Sequence, residues 1–364
     1  QMYGQPEPRH GRPDALRPGA PIGKLPSLRR GPAGPPGPQG PAGPAGPSNA
    51  YANYGATDSQ RIAQGTTQTV SSVTLPVGTY TLAATVSGVA LGDARFSELP
   101  ARVELADTPF FPQERYQCGP AALATVLTAR GVAVTPEELV PQVYLPAREG
   151  SLQAEIVAAA RRQGLLALPV EPALDALLAE IAAGHPVLIL QNLGLSWMPR
   201  WHYAVAIGYD LERQELVLRS GTEPRRITPF GVFLNTWDRS ARWGMVVLTP
   251  GTFAARTQPT PYLEAASALE SLGRHQEARA TYQAATERWP DSAVAWLGLG
   301  NTEYTLGHVR QAEQAFRRAL HVKAGTAAAW NNLAYALASQ QCIRTAREAA
   351  RCAQQLAPEN SEFA

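Results

Sequence analysis

The stretch QERYQCGPAALATVL, residues 113–127, decides the fold of the central part of the chain. Pro120 suits the first turn of a helix, because the N–H that proline lacks has no partner there. Alanine, leucine and valine fill the following turns. Gly131 can adopt the left-handed backbone conformation that ends a helix. The pattern predicts a buried helix of about 12 residues that begins at Cys118.

Cys118 is a candidate nucleophile because of its place at the start of this helix. The unpaired N–H groups and the dipole of a helix N-terminus stabilise a thiolate, so we expect the pKa of the Cys118 thiol to be lowered. The alternative is a packing thiol, since free cysteine is among the most buried residue types. A nearby base would favour the nucleophile.

The sequence contains six histidines, and one of them suits the role of that base. Four lie in the N-terminal tail or on the surface of repeated helices: His10, His275, His308 and His321. His185 precedes a proline and leads into an apolar run, which indicates a structural loop residue. His202 opens HYAVAIGYD, whose alternation predicts a half-buried strand. A histidine at the end of a strand, beside a helix that carries a cysteine, is the layout of a papain-like thiol–imidazole pair.

PFFPQERYQCGPAALATVL together with WHYAVAIGYD resembles the peptidase family that removes double-glycine leaders from bacteriocins. The resemblance extends over 101–364 and is closest to the stand-alone envelope members that carry tetratricopeptide repeats. It implies an α+β papain-like cysteine peptidase domain that cleaves after small residues such as Gly-Gly. It also implies that Cys118 is the nucleophile, that His202 is the general base and acid, and that Gln113 is a side-chain donor to the oxyanion hole. Gln117 is a rival for the last role.

The sequence departs from this family at two positions. Gln113 stands five residues before the cysteine, whereas the leader peptidases usually place it six before. Their Asp-Pro on the strand after the histidine is also missing, and ELVLRSGTEPRR offers Ser220 and Gly221 instead. If DLERQE forms a hairpin turn, Ser220 returns close to the strand of His202 and is a candidate to orient its imidazole, with Glu223 as another candidate. A neutral orienter lowers the rate without abolishing it.

Two other functions fit the same residues. One is a catalytically inactive peptidase fold used as a binding scaffold, and the other is a thiol acyltransferase that passes the acyl group to an amine.

Four tryptophans either line a substrate cleft or belong to the core: Trp197, Trp201, Trp237 and Trp243.

The sequence of the C-terminal part repeats every 34 residues, which is the period of tetratricopeptide repeats. Ala278, Ala312 and Ala346 are 34 residues apart, as are Trp296 and Trp330. The best copy, WLGLGNTEYTLGHVRQAEQAFRRAL, predicts two antiparallel helices, and three copies are about the minimum for a stable stack. We expect an all-α solenoid whose concave face binds a peptide or a partner protein; a rigid spacer is the alternative. The cysteines of the last copy, Cys342 and Cys352, are predicted to be small packing residues.

The N-terminal part has a different composition. Glycine recurs at every third position in GPAGPPGPQGPAGPAGP, residues 31–47, which is typical of collagen-like chains. Such a short run forms either a trimerising stalk or an extended spacer. TTQTVSSVTLPVGTYTLAATVSGVAL alternates β-branched residues around a Pro-Val-Gly turn. The predicted divisions are a disordered collagen-like segment (1–50), a short β-rich segment (51–98), the peptidase domain (99–252) and the repeats (253–364).

Composition restricts the partners. The net charge is +2 and no basic block is present, so we expect no nucleic-acid partner. No apolar run reaches the roughly 18 residues of a membrane span. The three cysteines form no CxxC pair, so neither a metal nor another cofactor is expected. The family resemblance and the collagen-like segment point to the periplasm or cell envelope, or to secretion.

Overall fold

A computed structural model describes residues 69–75, 78–83, 96–113 and 117–360. The predicted collagen-like segment lies outside the described residues. Within the predicted β-rich segment, strands β1 (Thr69–Leu75) and β2 (Gly78–Ala83) pair in antiparallel register.

The central part of the chain is built on an antiparallel sheet that has seven strands in the described residues. The strands in and beside it are β3 (Arg102–Glu104), the short pair β4 (Tyr144–Leu145) and β5 (Gly150–Ser151), β6 (Leu166–Pro169), β7 (Val187–Asn192), β8 (Trp201–Asp210), β9 (Glu215–Ser220), β10 (Glu223–Pro229) and β11 (Gly244–Leu248). The order across the sheet is β10-β9-β8-β7-β11-β6, with β3 beside the last residues of β8, while β4 and β5 form a separate hairpin.

Helices cover both faces of this sheet. The helices are α1 (Cys118–Thr128), α2 (Pro136–Val143), α3 (Gln153–Arg162), α4 (Leu174–Ala182) and α5 (Phe230–Asp238). The first three pack on one face and the last two on the other. Tyr203 and Val205 of β8 face α1, whereas Ala204 and Ala206 face away from it, as the period-2 geometry of a strand requires. The strand of His202 was predicted to be half buried; its central residues are buried on both faces because both faces carry helices.

The predicted start and end of the cysteine helix are confirmed. α1 begins at Cys118, has Pro120 in its first turn and is buried along most of its length. Gly131, with a φ of 82°, follows the helix in the left-handed region. α1 therefore lies in the core and brings its N-terminal residue to the edge of the sheet.

The C-terminal part consists of three helix pairs. They are α6 (Pro259–Ser271) with α7 (His275–Arg288), α8 (Ala293–Thr305) with α9 (Val309–Val322), and α10 (Ala327–Ser339) with α11 (Ile343–Leu356). The predicted solenoid is confirmed. Gly298 and Gly300 give room to the rings of Tyr282 and Phe316, where any side chain would collide. The packing role predicted for Cys342 was wrong, because this residue is exposed at the start of α11.

The first helix pair shares a hydrophobic core with the sheet domain. Tyr262 of α6 is fully buried and stacks on Phe253 at 4.7 Å, and Trp289, which follows α7, meets both rings edge-on. Arg256, in the connection between the two parts, pairs with the buried Asp175 of α4 at 2.7 Å. The solenoid is thereby fixed to the sheet domain. In the described chain, no helix combines the length and apolarity of a membrane span.

Candidate active site

A cleft of about 1200 Å³ opens between the N-terminus of α1 and one end of the sheet. Its helix side is formed by α1 together with the β4–β5 hairpin and the residues that follow it: Cys118, Arg148, Glu149, Gly150, Ser151, Leu152 and Gln153. Its sheet side is formed by strand ends and adjoining loops: Leu190, Pro199, Arg200, Trp201, His202, Tyr203, Gly221, Arg239, Ser240 and Ala241. Gln113 also lines it. The cleft contains Cys118, His202 and Gln113, which the sequence analysis singled out.

Cys118 is half-buried at the first position of α1. Burial raises the pKa of its thiol, and the backbone N–H groups of Tyr203, Gly119 and Cys118 itself oppose that rise because they stabilise a thiolate. The predicted lowering of the thiol pKa was therefore wrong in direction. The helix N-terminus acts as expected, but the loss of water around the sulfur outweighs it.

His202 is held by Ser220, as the hairpin argument predicts. The Nε2 atom of His202 lies 2.8 Å from the Oγ atom of Ser220, which is buried on β9. Burial, together with the positive charges of Arg226 and Arg200, lowers the pKa of His202 to about 4. The imidazole is therefore neutral at pH 7 and can accept a proton. Glu223 does not take the orienting role, because it is exposed and pairs with Arg226 at 3.3 Å.

The sulfur and the imidazole share the cleft without bonding to each other. Among the described residues, no hydrogen bond joins Cys118 to His202. His202 belongs to the same alternating row of β8 as Ala204, on the face away from α1, and it reaches the cleft because the strand ends there. Catalytic hydrogen bonds are often long or absent in a ligand-free enzyme and tighten only when substrate binds.

Gln113 is fixed between two strands at the floor of the cleft. Its Nε2 atom donates to the carbonyl oxygen of Tyr203 at 3.2 Å, and its Oε1 atom accepts from the backbone N–H of Gly221 at 3.1 Å. An amide nitrogen carries two hydrogens, so one remains for a ligand. Gln117, the rival for this role, precedes α1 and does not line the cleft.

Ser151 is a cleft residue that the sequence analysis did not single out. Its Oγ atom is buried without a hydrogen-bond partner in the described chain. It lies so close to Gly119 that a Cβ atom added there would stand 2.3 Å from it. The carbonyl oxygen of Ser151 accepts from the hydroxyl of Tyr203 at 3.2 Å, which ties the β4–β5 hairpin to β8. No sequence motif marks this serine, because only the fold brings it beside α1.

Three of the four tryptophans take one of the two predicted roles, and Trp197 takes neither. Trp201 lines the cleft and is 54% exposed, and Trp197 is 76% exposed in the loop before β8. Trp237 is fully buried, and Trp243 packs edge-on against Tyr203 with ring centroids 5.9 Å apart. Within the described residues no group of histidine, cysteine and carboxylate side chains has the arrangement of a metal site.

Comparison with protein families agrees with this architecture. Residues 105–244 match the model of the Peptidase_C39 like family. Residues 257–323 and 297–361 match two models of the tetratricopeptide repeat. The chain therefore carries a C39-like peptidase domain followed by tetratricopeptide repeats.

Solved structures with similar parts are distant in sequence. A putative C39-like peptidase from Bacillus anthracis is 17% identical and covers 43% of this chain and 100% of its own, with a TM-score of 0.36. The type III secretion translocator chaperone SycD of Yersinia enterocolitica is 18% identical and covers 29% of this chain and 80% of its own, with a TM-score of 0.28. The first TPR of Spaghetti (RPAP3), bound to an HSP90 peptide, has the same identity, coverage of 29% and 83%, and a TM-score of 0.28. No curated protein matches the chain.

Proposed function

We propose that this C39-like domain is an active cysteine peptidase that hydrolyses peptide bonds with Cys118 as the nucleophile and His202 as the general base and acid. One observation carries the proposal. Both residues line a single cleft, and the Nε2 atom of His202 is held by the Oγ atom of Ser220 at 2.8 Å. In the tautomer whose Nε2–H donates to Ser220, the Nδ1 atom is the acceptor for the thiol proton.

The thiol and the imidazole are both neutral at rest, and this decides the first step. The imidazole of His202 takes the thiol proton as the sulfur of Cys118 attacks the peptide carbonyl carbon. The negative charge that develops on the carbonyl oxygen is met by the backbone N–H of Cys118 and the remaining Nε2 hydrogen of Gln113. Such a donor contributes about 3 kcal/mol of transition-state stabilisation.

The second half of the reaction returns the enzyme to its starting state. The tetrahedral intermediate collapses, the C–N bond breaks, and His202 gives its proton to the leaving amine. Water then attacks the thioester, with the imidazole again as base, and the sulfur leaves and recovers a proton. Atoms and charges balance without a cofactor.

The substrate proposal rests on the resemblance to double-glycine leader peptidases. It assigns cleavage after small residues such as Gly-Gly. The repeats are proposed to recruit the substrate or a partner protein on their concave face, because tetratricopeptide repeats generally present such a surface. The envelope of a bacterial cell is the proposed location, on the resemblance alone.

One specific observation favours a second candidate, the inactive binding scaffold. The pKa of the Cys118 thiol is raised rather than lowered, and no carboxylate of the described residues bonds to His202. Both features weaken a nucleophile that must be deprotonated before it meets substrate.

A peptide library separates the two functions. The wild type and Cys118→Ala are incubated with a proteome-derived library, and new termini are read by mass spectrometry. The peptidase proposal predicts cleavage by the wild type alone, and a scaffold predicts none from either. Adding small amines to the same reaction tests for an acyltransferase, which would form amide conjugates.

A further inference from the structure

We propose that the cleft selects peptides that carry aspartate or glutamate close to the bond to be cut, through arginines on both of its sides. The inference rests on the proposed peptidase function and deepens it by naming the class of substrate. Three arginines carry the argument: Arg148 on the helix side, and Arg200 and Arg239 on the sheet side.

The cleft is positively charged because these arginines are nearly uncompensated. Among the described residues that line the cleft, the one carboxylate is Glu149, which is exposed beside Arg148. A further fact shows that the charge reaches the reactive histidine. Arg200 and Arg226 both act on His202 strongly enough to lower the pKa of its imidazole.

These cations are free to bind a ligand. Within the described chain, Arg148 and Arg200 form neither an ion pair nor a side-chain hydrogen bond, and Arg239 donates only to the carbonyl oxygen of Gly194 at 2.7 Å. Several arginines elsewhere in the same domain form ion pairs. Examples are Arg225 with Glu104 at 2.7 Å and Arg242 with Asp238 at 2.5 Å. Arg148 and Arg200 differ from these paired arginines, because no described side chain occupies their guanidinium groups.

Arg200 and Arg148 lie within a few residues of side chains that surround the proposed site of cleavage. Arg200 stands two residues before His202, and Arg148 stands three residues before Ser151, which touches Gly119 beside the nucleophile. An extended peptide advances about 3.3 Å per residue. The guanidinium groups can thus meet carboxylates within about three residues of the bond, on either side of it.

Arginine and carboxylate suit each other in this setting. The planar guanidinium donates two parallel hydrogen bonds to one carboxylate, which fixes the orientation of the peptide as well as its charge. A carboxylate beside Arg200 would also offset one of the charges that lower the pKa of His202. A peptide with a carboxylate beside Arg200 would therefore make His202 a stronger base for the thiol proton.

An anionic membrane surface is the other ligand class that unpaired arginines attract. The exposed Trp197 and Met198 belong to the loop before β8, but neither of them lines the cleft. The arginines line a concave space that contains the nucleophile, which a flat bilayer cannot enter. This placement favours a peptide.

The test uses binding as well as cleavage. The full chain with Cys118→Ala is immobilised and used to select from a proteome-derived peptide library. The same selection is made with Arg148→Glu or Arg200→Glu added singly, and with Arg318→Glu added as a control. Arg318 is exposed on α9 and pairs with no described carboxylate, so it makes the same change of charge away from the cleft. Vesicles of phosphatidylglycerol and phosphatidylcholine are offered to each variant in parallel.

The inference predicts that Asp and Glu are enriched among retained peptides and, with the active chain, within about three residues of the cleaved bonds. The charge reversals should lower retention of these peptides about tenfold, and Arg318→Glu should leave it unchanged. Retained peptides without acidic enrichment would overturn the inference, whether or not the wild type cleaves. Vesicle binding that depends on Arg148 and Arg200, without acidic enrichment, would overturn it in favour of a membrane. Acidic enrichment without cleavage would support the charged site and refute the peptidase.

Discussion

The Nε2 atom of His202 and the hydroxyl oxygen of Ser220 lie 2.8 Å apart on neighbouring strands. Ser220 thus occupies the place that a carboxylate takes in the family that the sequence resembles. The hydroxyl fixes the ring by a neutral hydrogen bond and brings no negative charge. The predictions that follow concern the strength of this pair, the state of the thiol and the packing that holds the cleft.

Ser220→Ala should lower kcat without abolishing it. A neutral hydrogen bond contributes about 1 kcal/mol, so we expect a loss of about five- to tenfold in the cleavage rate. Circular dichroism and the melting temperature should remain close to those of the wild type. An unchanged rate would show that Ser220 does not orient His202.

Ser220→Asp should restore a charged orienter. A carboxylate beside the ring favours the imidazolium, so the pKa of His202 should rise from about 4 toward neutrality. The acidic limb of the kcat/KM profile should follow it upward in pH. Proton NMR of the His202 ring measures the same pKa independently. Ser220→Asn is the uncharged control, and it should leave the pKa of His202 low.

The Cys118 thiol should react slowly with iodoacetamide at neutral pH. Burial raises its pKa, so the fraction of thiolate increases only as the pH passes the ordinary cysteine value of about 8.5. The measurement needs a chain with Cys342→Ser and Cys352→Ser, since Cys342 is exposed. A midpoint well below 8.5 would contradict the neutral resting pair and favour a preformed thiolate.

Gly119→Ala should disturb the helix side of the cleft. The new methyl group would stand 2.3 Å from the Oγ atom and 2.6 Å from the Cβ atom of Ser151, so the β4–β5 hairpin must shift. Overpacking of this kind costs about 1–3 kcal/mol. Adding Ser151→Gly removes both colliding atoms and should recover most of the loss in chemical denaturation. If the double variant is no more stable than Gly119→Ala, the collision is not the cause.

Tyr262→Ala should destabilise the sheet domain together with the repeats. The ring is fully buried between Phe253 and Trp289, in the core that the two parts share. Truncation of such a residue costs about 3–5 kcal/mol. Calorimetry should show the transitions of both parts at lower temperature. Tyr335→Ala removes a half-exposed ring on α10 and should change the melting temperature little.

The fold was predictable where a local pattern decides it. Pro120 and Gly131 delimit a helix by their own backbone preferences, and the recurrence of Ala278, Ala312 and Ala346 identifies the repeats without any long-range information. The return of Ser220 to the strand of His202 was also predictable, because a hairpin turn brings β9 back beside β8. The contact with His202 itself was not, since the register shifts between Ala206 and Gly208.

The electrostatics and one wall of the cleft were not predictable from these patterns. The helix start at Cys118 favours a thiolate, but the burial that outweighs it depends on β8 and its neighbours. Ser151 meets Gly119 only because the β4–β5 hairpin folds against α1. Such contacts join residues far apart in the chain, and neither spacing nor composition records them.

The most direct test of the central claim is a comparison of Cys118→Ala, His202→Ala and the double variant on one cleaved peptide, with rates read by mass spectrometry. When two residues act together in one step, replacing either of them removes the rate acceleration that the pair provides. We predict that each single variant lowers kcat/KM by about three orders of magnitude or more and that the double variant falls no further. Retention of the wild-type rate by His202→Ala would contradict the account.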